Sequence, residues 1–558
     1  MADGRRFPEA AACLRQALNR AGSQVESSDA RETIRLLQEI TDSKPGWARG
    51  RFSLGCAFEH LGDYGPAREH LANALRLDPA REAAVESLFA RMHMMEQKWT
   101  AGMAAADRAL AANPDYYLAL IVRSKCCAAL GWMDECAKSK RRALGIAPDR
   151  ALHSDLLFEM NYLADCTPEA LHAEAGRWNS LYAAPLEGRI RPHSNTPDPD
   201  RPLKLGYVSP DLRNHPMMRF LPPVLEHHDR SEFEVFAYAA GTKSDPWTER
   251  IRQSTEHFRS IRDPEALAAQ VRQDGIDILI DLAGHSMGPA LLAFALKPAP
   301  VQVSWMGAMS TTGLSSMDYF LGDPRMPCPG TDHLFTETVY RLPDVLCCYR
   351  PVADIPVADA PCVKRGYVTF GCFNNPQKIG RDVVKLWSAI LHLAPGSRLL
   401  LKFRGLEQEE VQAGFRGWFA ADGIPPERLL FAGSSIEYLA AYGGVDIALD
   451  PFPYSGGSTT LDALWMGVPV VTLAGRLAVQ MSSANVLAAV GLSDMVAHTP
   501  EQYLKIALYL AGVLPAASLL RCDLRQALRA SPWMDETGVV RSVEDAFREM
   551  WRAWCRKS

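Results

Sequence analysis

Apolar positions in the first quarter of the chain recur at helical spacing and within a repeating frame. Ala74-Leu75 is followed by Pro79, Ala109-Leu110 by Pro114, and Ala143-Leu144 by Pro148. The prolines lie 35 and 34 residues apart, and Pro45 precedes Pro79 by 34. Each period predicts two helices joined by a turn. Leu54-Gly55, Phe58, Ala67, Leu71 and Ala74 supply the knobs and small residues that let paired helices approach. Pro79 cannot continue the second helix. Later units are degenerate, with Ser124 and Cys127 at positions usually held by Gly and an aromatic. Helical spacing persists from Ala151 to about Leu186, and Arg189–Asp200, rich in Pro, Asn, Asp and Ser, reads as a linker.

Beyond it the pattern changes to short apolar runs alternating with helical stretches. Leu203–Val208, Phe233–Ala239, Ile276–Leu282 and Val301–Trp305 predict strands, while Phe258–Arg272 has helical periodicity. A second set follows: Val368–Phe373, Arg398–Phe403, Leu429–Ala432, Ile447–Asp450 and Val468–Leu473, with helices at Arg381–Leu393 and Thr459–Met466 between them. Such alternation predicts two parallel α/β lobes with a ligand cleft at the strands' C-terminal ends. A last helix, Val540–Cys555, carries an apolar stripe of Phe547, Met550, Trp551 and Trp554.

The period near ~34 residues is the tetratricopeptide signature, and a stack of such units makes a groove suited to a protein or peptide. Composition adds bounds. The 558 residues suffice for three to four domains at roughly 150 residues each. A net charge of -5 gives no electrostatic footprint for nucleic acid. No apolar run approaches a membrane span, and Met1-Ala-Asp-Gly-Arg-Arg-Phe-Pro8 has no signal-like apolar core. The 13 cysteines contain no CxxC, which reads as scattered thiols in a reducing, cytoplasmic setting.

Polar clusters follow the strand-like runs. Ser209–Pro216 holds His215, either a phosphate or proton-transfer residue or an ordinary loop histidine. Gly284-His285-Ser286-Met287-Gly288 and Gly307-Ala308-Met309-Ser310-Thr311-Thr312-Gly313 are small-residue loops whose amides suit an anion or sugar. Phe373-Asn-Asn375-Pro-Gln-Lys378 places a lysine where it can neutralise phosphate, against the commoner fate of a solvated surface lysine. Asp450-Pro-Phe-Pro-Tyr454-Ser-Gly-Gly-Ser458-Thr459-Thr460-Leu-Asp462 joins a strand to a helix through residues that favour phosphate at a helix end. There Thr459 as N-cap with Asp462 three residues on is the purely structural alternative. No Walker A, G-x-G-x-x-G or metal-ligand spacing occurs. A nucleotide site here is therefore expected to be metal-free, with neither metal nor cofactor.

In order, these clusters resemble the O-linked N-acetylglucosamine transferase and SPINDLY family, in which tetratricopeptide repeats precede a GT-B fold of two Rossmann-like lobes. The carrying motifs are Gly206-Tyr-Val-Ser-Pro-Asp-Leu-Arg-Asn-His-Pro216, Asp281-Leu-Ala-Gly-His285, Pro298-Ala-Pro-Val-Gln-Val303, Met317-Asp-Tyr319, Val368–Asn375 with Lys378, Leu449–Tyr454, Ser458-Thr-Thr460 and Asp462–Pro469. The second-lobe motifs look closer to the SPINDLY-like branch.

The resemblance implies five segments: repeats at 1–150, a helical connector and linker at 151–200, an acceptor-side lobe at 201–345, a nucleotide-sugar lobe at 346–535, and a C-terminal helix at 536–558. It implies inverting transfer from a nucleotide sugar, UDP-GlcNAc or a relative, to Ser or Thr of a protein acceptor in the repeat groove. GDP-fucose or nonulosonic-acid transfer, and a catalytically weak adaptor, are the alternatives. Lys378 matches the lysine that stabilises the leaving diphosphate, and His215 a candidate base. Ser458, Thr459 and Thr460 match the phosphate loop, Asp462 the ribose aspartate, Tyr438 the base-stacking position and Asn375 a donor contact. Thr311, Thr312 and His285 join them on the donor side. The chain departs from the family at Ala308-Met309-Ser310, at Gly457, and at Gln480-Met481, where the family carries an arginine.

Overall fold

The computed structural model describes residues 27–286, 290–307, 309–435, 437–514 and 520–557. The segment Met1–Pro8, and Met287, Gly288 and Ala308 of the two small-residue loops, lie outside the described residues. The chain divides into two units, residues 1–148 and 149–558.

In the first unit, α1 (Ser27–Ser43) precedes three helical hairpins: α2 (Ala48–His60) with α3 (Tyr64–Leu77), α4 (Glu82–Met95) with α5 (Trp99–Ala112), and α6 (Tyr117–Ala129) with α7 (Met133–Ile146). Pro79, Pro114 and Pro148 each follow the second helix of a pair. Small residues sit where the helices cross. Ala67, Ala74, Ala105, Ala106 and Ala109 are fully buried, and a Cβ on Gly55 would meet Leu71 Cγ at 2.5 Å. Ser124, buried in α6, returns its hydroxyl to the Ile121 carbonyl.

The second unit opens with α8 (Arg150–Met160) and α9 (Pro168–Trp178), capped by the Asp149 and Thr167 side chains. The extended linker is pinned by Asn195 and Arg201, both bonded to the buried Asp277. Two all-parallel sheets follow. The first runs β3-β2-β1-β4-β5-β6-β7, with β1 Leu203–Ser209, β2 Phe233–Ala239, β3 His257–Ser260, β4 Ile278–Asp281, β5 Val301–Ser304, β6 Tyr319–Gly322 and β7 Thr338–Arg341. The second runs β10-β9-β8-β11-β12-β13, with β8 Thr369–Cys372, β9 Arg398–Lys402, β10 Leu429–Ala432, β11 Ile447–Leu449, β12 Val470–Leu473 and β13 Val496–Ala497. Near-continuous apolar runs such as Ile278–Asp281 are buried along their whole length, as a sheet covered on both faces requires. Four strands were not legible as such: β3, β6, β7 and β13. The start of the stretch Phe258–Arg272, expected to be helical, is an edge strand, and its helix spans Pro264–Asp274.

In both sheets the order reverses at the central pair, β1/β4 and β8/β11, so each has one topological switch point where the strands' C-terminal loops diverge and a ligand can enter. Three further helices pack beside the sheets: α10 (Ser458–Trp465), α11 (Ala478–Ala489) and α12 (Glu536–Cys555). α12 belongs by sequence to the second half but packs on the first lobe. Phe547 meets Trp305 of the first sheet, Glu544 accepts from His228, and the Trp551 indole donates to the Asp198 carbonyl. No described helix is long and apolar enough to cross a membrane.

Candidate active site

The second switch point carries the densest polar cluster. Lys378 ends the short turn after β8, and its Nζ donates to Asn374 Oδ1 at 3.1 Å and to the Ser455 carbonyl at 2.8 Å. The same ammonium lies 4.1 Å from the centre of the Tyr454 ring. Burial pushes it down to about 8, while the nearby Asp450 carboxylate opposes that fall. Asp450, at the end of β11, is held by the Gly456 amide at 2.8 Å and the Thr472 hydroxyl at 2.7 Å.

Asn374 is the hub, also accepting the Thr459 hydroxyl at 3.1 Å. Its neighbour Asn375, the candidate donor contact, instead caps its own turn by accepting the Gln377 amide at 3.1 Å. A one-residue difference in a paired-Asn loop thus separates the inward side chain from the capping one. Tyr454 packs against Tyr162 of the connector, the rings tilted by 37° with 5.0 Å between their centres.

The loop Asp450–Gly457 leads into α10, whose N-cap is Gly457 with no side-chain cap. Thr459 is therefore not the cap: it stands in the first turn with its hydroxyl on Asn374. Thr460 bonds Ser483 of α11 at 2.6 Å, and the Ser458 hydroxyl has no hydrogen bond among the described residues. A Cβ on Gly456 would lie 2.5 Å from Thr459 Oγ1 and 2.9 Å from Asp450 Oδ1, so only glycine lets the loop close this tightly. The uncapped helix start offers amides and a positive dipole end to an anion. Gln480, where the family has its arginine nearby, accepts the Leu477 amide at 3.0 Å. Arg476 pairs instead with Glu169 of α9 at 2.6 Å, out in solvent.

Asp462, one turn further along α10, is fully buried. Its Oδ1 accepts from Arg219 Nε at 3.1 Å and from the Tyr349 hydroxyl at 2.8 Å. Arg219 comes from the first lobe, four residues beyond His215, so the two lobes meet at this carboxylate. Tyr438 lies beside it, with its ring centre 5.7 Å from the Arg219 guanidinium and its hydroxyl 3.2 Å from that of Tyr442.

On the first-lobe side, His215 Nδ1 accepts the Met217 amide at 3.3 Å. Burial lowers its pKa, so the neutral ring prevails near neutrality and this bond puts its proton on Nε2. Held this way, the ring turns Nε2 toward the Asp211 carboxylate, 3.8 Å away, which opposes that fall.

Thr311, Thr312 and His285 form a different structure from the one expected of donor contacts. The Thr311 hydroxyl, the Thr312 hydroxyl and the Thr312 amide all converge on the buried Glu337 carboxylate. His285, fully enclosed, donates from Nε2 to the Thr312 carbonyl at 2.9 Å and accepts the Ser154 hydroxyl on Nδ1 at 3.2 Å. Burial pushes its pKa down to about 4. These three residues shape the loop and tie it to α8. Met309, one of the departures in that loop, reaches the second lobe, where the Ser482 hydroxyl lies 3.6 Å from its sulfur.

The residues that sequence reasoning passed over are Asn374, Asp450, Tyr454, Arg219, Tyr349 and Glu337. The first three lie inside motifs already singled out. The other three have partners distant in sequence.

Comparison with known proteins fits this geometry. The model of glycosyl transferase family 41 matches residues 189–346 and 363–540. The Solanum lycopersicum protein named probable UDP-N-acetylglucosamine–peptide N-acetylglucosaminyltransferase SPINDLY is 34% identical over 423 residues, covering 74% of this chain and 45% of its own length. The Arabidopsis thaliana protein SEC, of the same printed activity, is 31% identical over 372 residues, covering 63% of this chain and 37% of its own. The chain thus spans about half the length, or less, of these relatives. A solved structure of a mutant O-GlcNAc transferase from Thermobaculum terrenum superposes with a TM-score of 0.75 at 34% identity, covering 98% of this chain and 99% of that one. The architecture is therefore tetratricopeptide repeats followed by a GT-B pair of lobes, and the chain belongs to glycosyl transferase family 41.

Proposed function

We propose that the chain is an inverting protein O-glycosyltransferase that moves a sugar from a nucleotide-sugar donor, UDP-GlcNAc or a relative, to Ser or Thr of a protein acceptor bound by the repeats. The observation that carries this reading is the cradle of Lys378, Asn374 and the uncapped start of α10 at the second switch point. In such a transfer the acceptor oxygen bonds to the anomeric carbon as the bond to the diphosphate breaks, and negative charge grows on the leaving oxygen. A fixed cation and helix-end amides stabilise that charge without reorganising. Lys378 and the amides of Ser458 and Thr459 take this role, with Tyr438 and Asp462 toward the nucleoside. Residues 201–345 serve as the acceptor-side lobe and 346–535 as the donor lobe.

The Met217 amide on Nδ1 supports reading His215 as a donor, with a hydrogen bond from Nε2 to a substrate oxygen. The acceptor's proton then passes to the leaving phosphate oxygen, late in the reaction. The scattered cysteines, with no CxxC among them, favour a reducing, cytoplasmic setting.

The test is intact-mass analysis of candidate acceptors co-expressed with the wild type and with Lys378→Ala, alongside calorimetric titration with UDP-, GDP- and CMP-sugars. One nucleotide class binding, and an added mass that vanishes with Lys378→Ala, is expected. The mass also separates hexosamine, fucose and nonulosonic acid. Binding of none, with no added mass on any acceptor, sinks the enzyme reading in favour of an adaptor.

A further inference from the structure

The environment of Asp462 has a feature that simple packing does not need. Arg219 approaches with two nitrogens: Nε bonds Oδ1, and Nη2 lies 3.1 Å from Oδ2 as an ion pair. Tyr349 fills the remaining place on Oδ1. Oδ2, though enclosed, has the Nη2 ion pair with Tyr438 beside the carboxyl, but no well-directed hydrogen bond of its own. A buried carboxylate oxygen with an unfilled lone pair is rare, because the unmade bond is costly. Here it sits one turn beyond the helix start proposed to receive phosphate, which is where a ribose would follow a diphosphate.

We propose that Arg219 is a donor-positioning residue supplied by the first lobe: it keeps the Asp462 carboxylate ionised and turned so that Oδ2 accepts a ribose hydroxyl, which makes nucleotide binding depend on contact between the lobes. This rests on the reading of Asp462 as the ribose-binding acid. The groups facing Asp462 are Arg219, Tyr349, Tyr438 and Tyr442. Among them only Arg219 carries a charge near neutral pH. Burial pushes the Asp462 carboxyl up and the guanidinium draws it back. Without Arg219 the acid holds its proton to higher pH, and a protonated acid has lost acceptor capacity for the hydroxyl.

The test is calorimetric titration of the full chain with UDP and, separately, GDP, at about pH 6 and about pH 8. Wild type is expected to bind one of them with little change between the two pH values. Arg219→Gln should bind about tenfold more weakly at the lower pH and recover part of the loss at the higher. Asp462→Asn should show a similar loss with no recovery, and the double variant no more than the single. Equal or tighter binding by Arg219→Gln at both pH values overturns the proposal, tighter binding marking Arg219 as a plug that the nucleotide must displace. Should that variant not fold, as judged by circular dichroism, Arg219→Lys carries the test. It keeps the charge without the two-pronged geometry, so a loss of about three- to tenfold is expected, and unchanged affinity refutes the idea. If wild type binds neither nucleotide, the nucleotide-sugar reading itself has failed.

Discussion

Replacing Lys378 by methionine separates the cost of this side chain from its use. Methionine keeps nearly the same length and flexibility without the charge. An ammonium lowered from 10.5 to about 8 is one whose charged form is disfavoured by roughly 3 kcal/mol. The substitution relieves that cost but gives up the bonds to Asn374 and Ser455, each about 1 kcal/mol, and partial exposure screens part of the rest. The net expectation at about pH 7 is a gain of at most about 1 kcal/mol for residues 149–558.

The pH dependence gives the sharper signature. Unfolded chain keeps this proton until about 10.5 and folded chain releases it near 8. Across that interval the unfolded state binds more protons, so wild-type stability rises with pH. The methionine variant lacks this rise, so its advantage should close about one unit above pH 8 and be reversed by pH 10.5. Denaturant unfolding followed by circular dichroism at about pH 7, 9 and 10.5 reads both effects. Transfer by the variant should fall by about 10²–10³, the usual loss for one fixed stabiliser of developing charge. A variant less stable than wild type at neutral pH, or a stability gap indifferent to pH, would refute the reasoning.

Two other expectations concern the first-lobe loop. His285 is neutral when folded, with its pKa pushed down to about 4. Between there and its ordinary value near 6.5 the unfolded state binds an extra proton, so stability falls with falling pH, by up to about 3 kcal/mol. His285→Gln should flatten that acid limb, and equal slopes for the two proteins between about pH 7 and pH 5 would count against the assignment. Glu337→Ala strands the Thr311 and Thr312 hydroxyls and the Thr312 amide, and should cost about 2 to 4 kcal/mol. Glu337→Gln keeps one acceptor oxygen and should cost less, so thermal melts that rank the two variants the other way exclude the carboxylate as the loop's anchor.

What the amino-acid sequence made legible follows physical range. The repeat frame needs only local packing, and its prolines and alanines stand at fixed offsets, so the helical hairpins could be read directly. Central strands such as β4 and β5 are apolar throughout because helices cover both faces. Edge strands such as β3, with His257 and Arg259, have no such run and were hidden. Lys378 and the Ser458–Thr460 loop were legible because a strand, a glycine-rich turn and a helix start are contiguous. Asn374 and Asn375 are not separable by sequence, because nothing in the residue type says which of two adjacent amides caps a turn and which points inward. Arg219 lies 243 residues from Asp462 and Tyr349 lies 113 from it. Such pairings depend on how two lobes meet, and no local pattern encodes them. The Thr311–Thr312 loop looked like an anion site because small residues serve both purposes, but a buried Glu337, 25 residues on, claimed its donors.

The return of α12 to the first lobe has a consequence for how the chain comes off the ribosome. Residues 203–341 hold every strand of the first sheet, yet Val543, Phe547, Met550 and Trp551 of α12 are fully or almost fully buried and cover part of that lobe around Trp305. At about 5–20 residues per second, roughly 10–40 s pass between the last of those strands and the helix that covers them. During that interval the second sheet emerges beside an uncovered apolar face. The lobe made first is the lobe finished last, which leaves it open to chaperone capture or misdocking until α12 arrives.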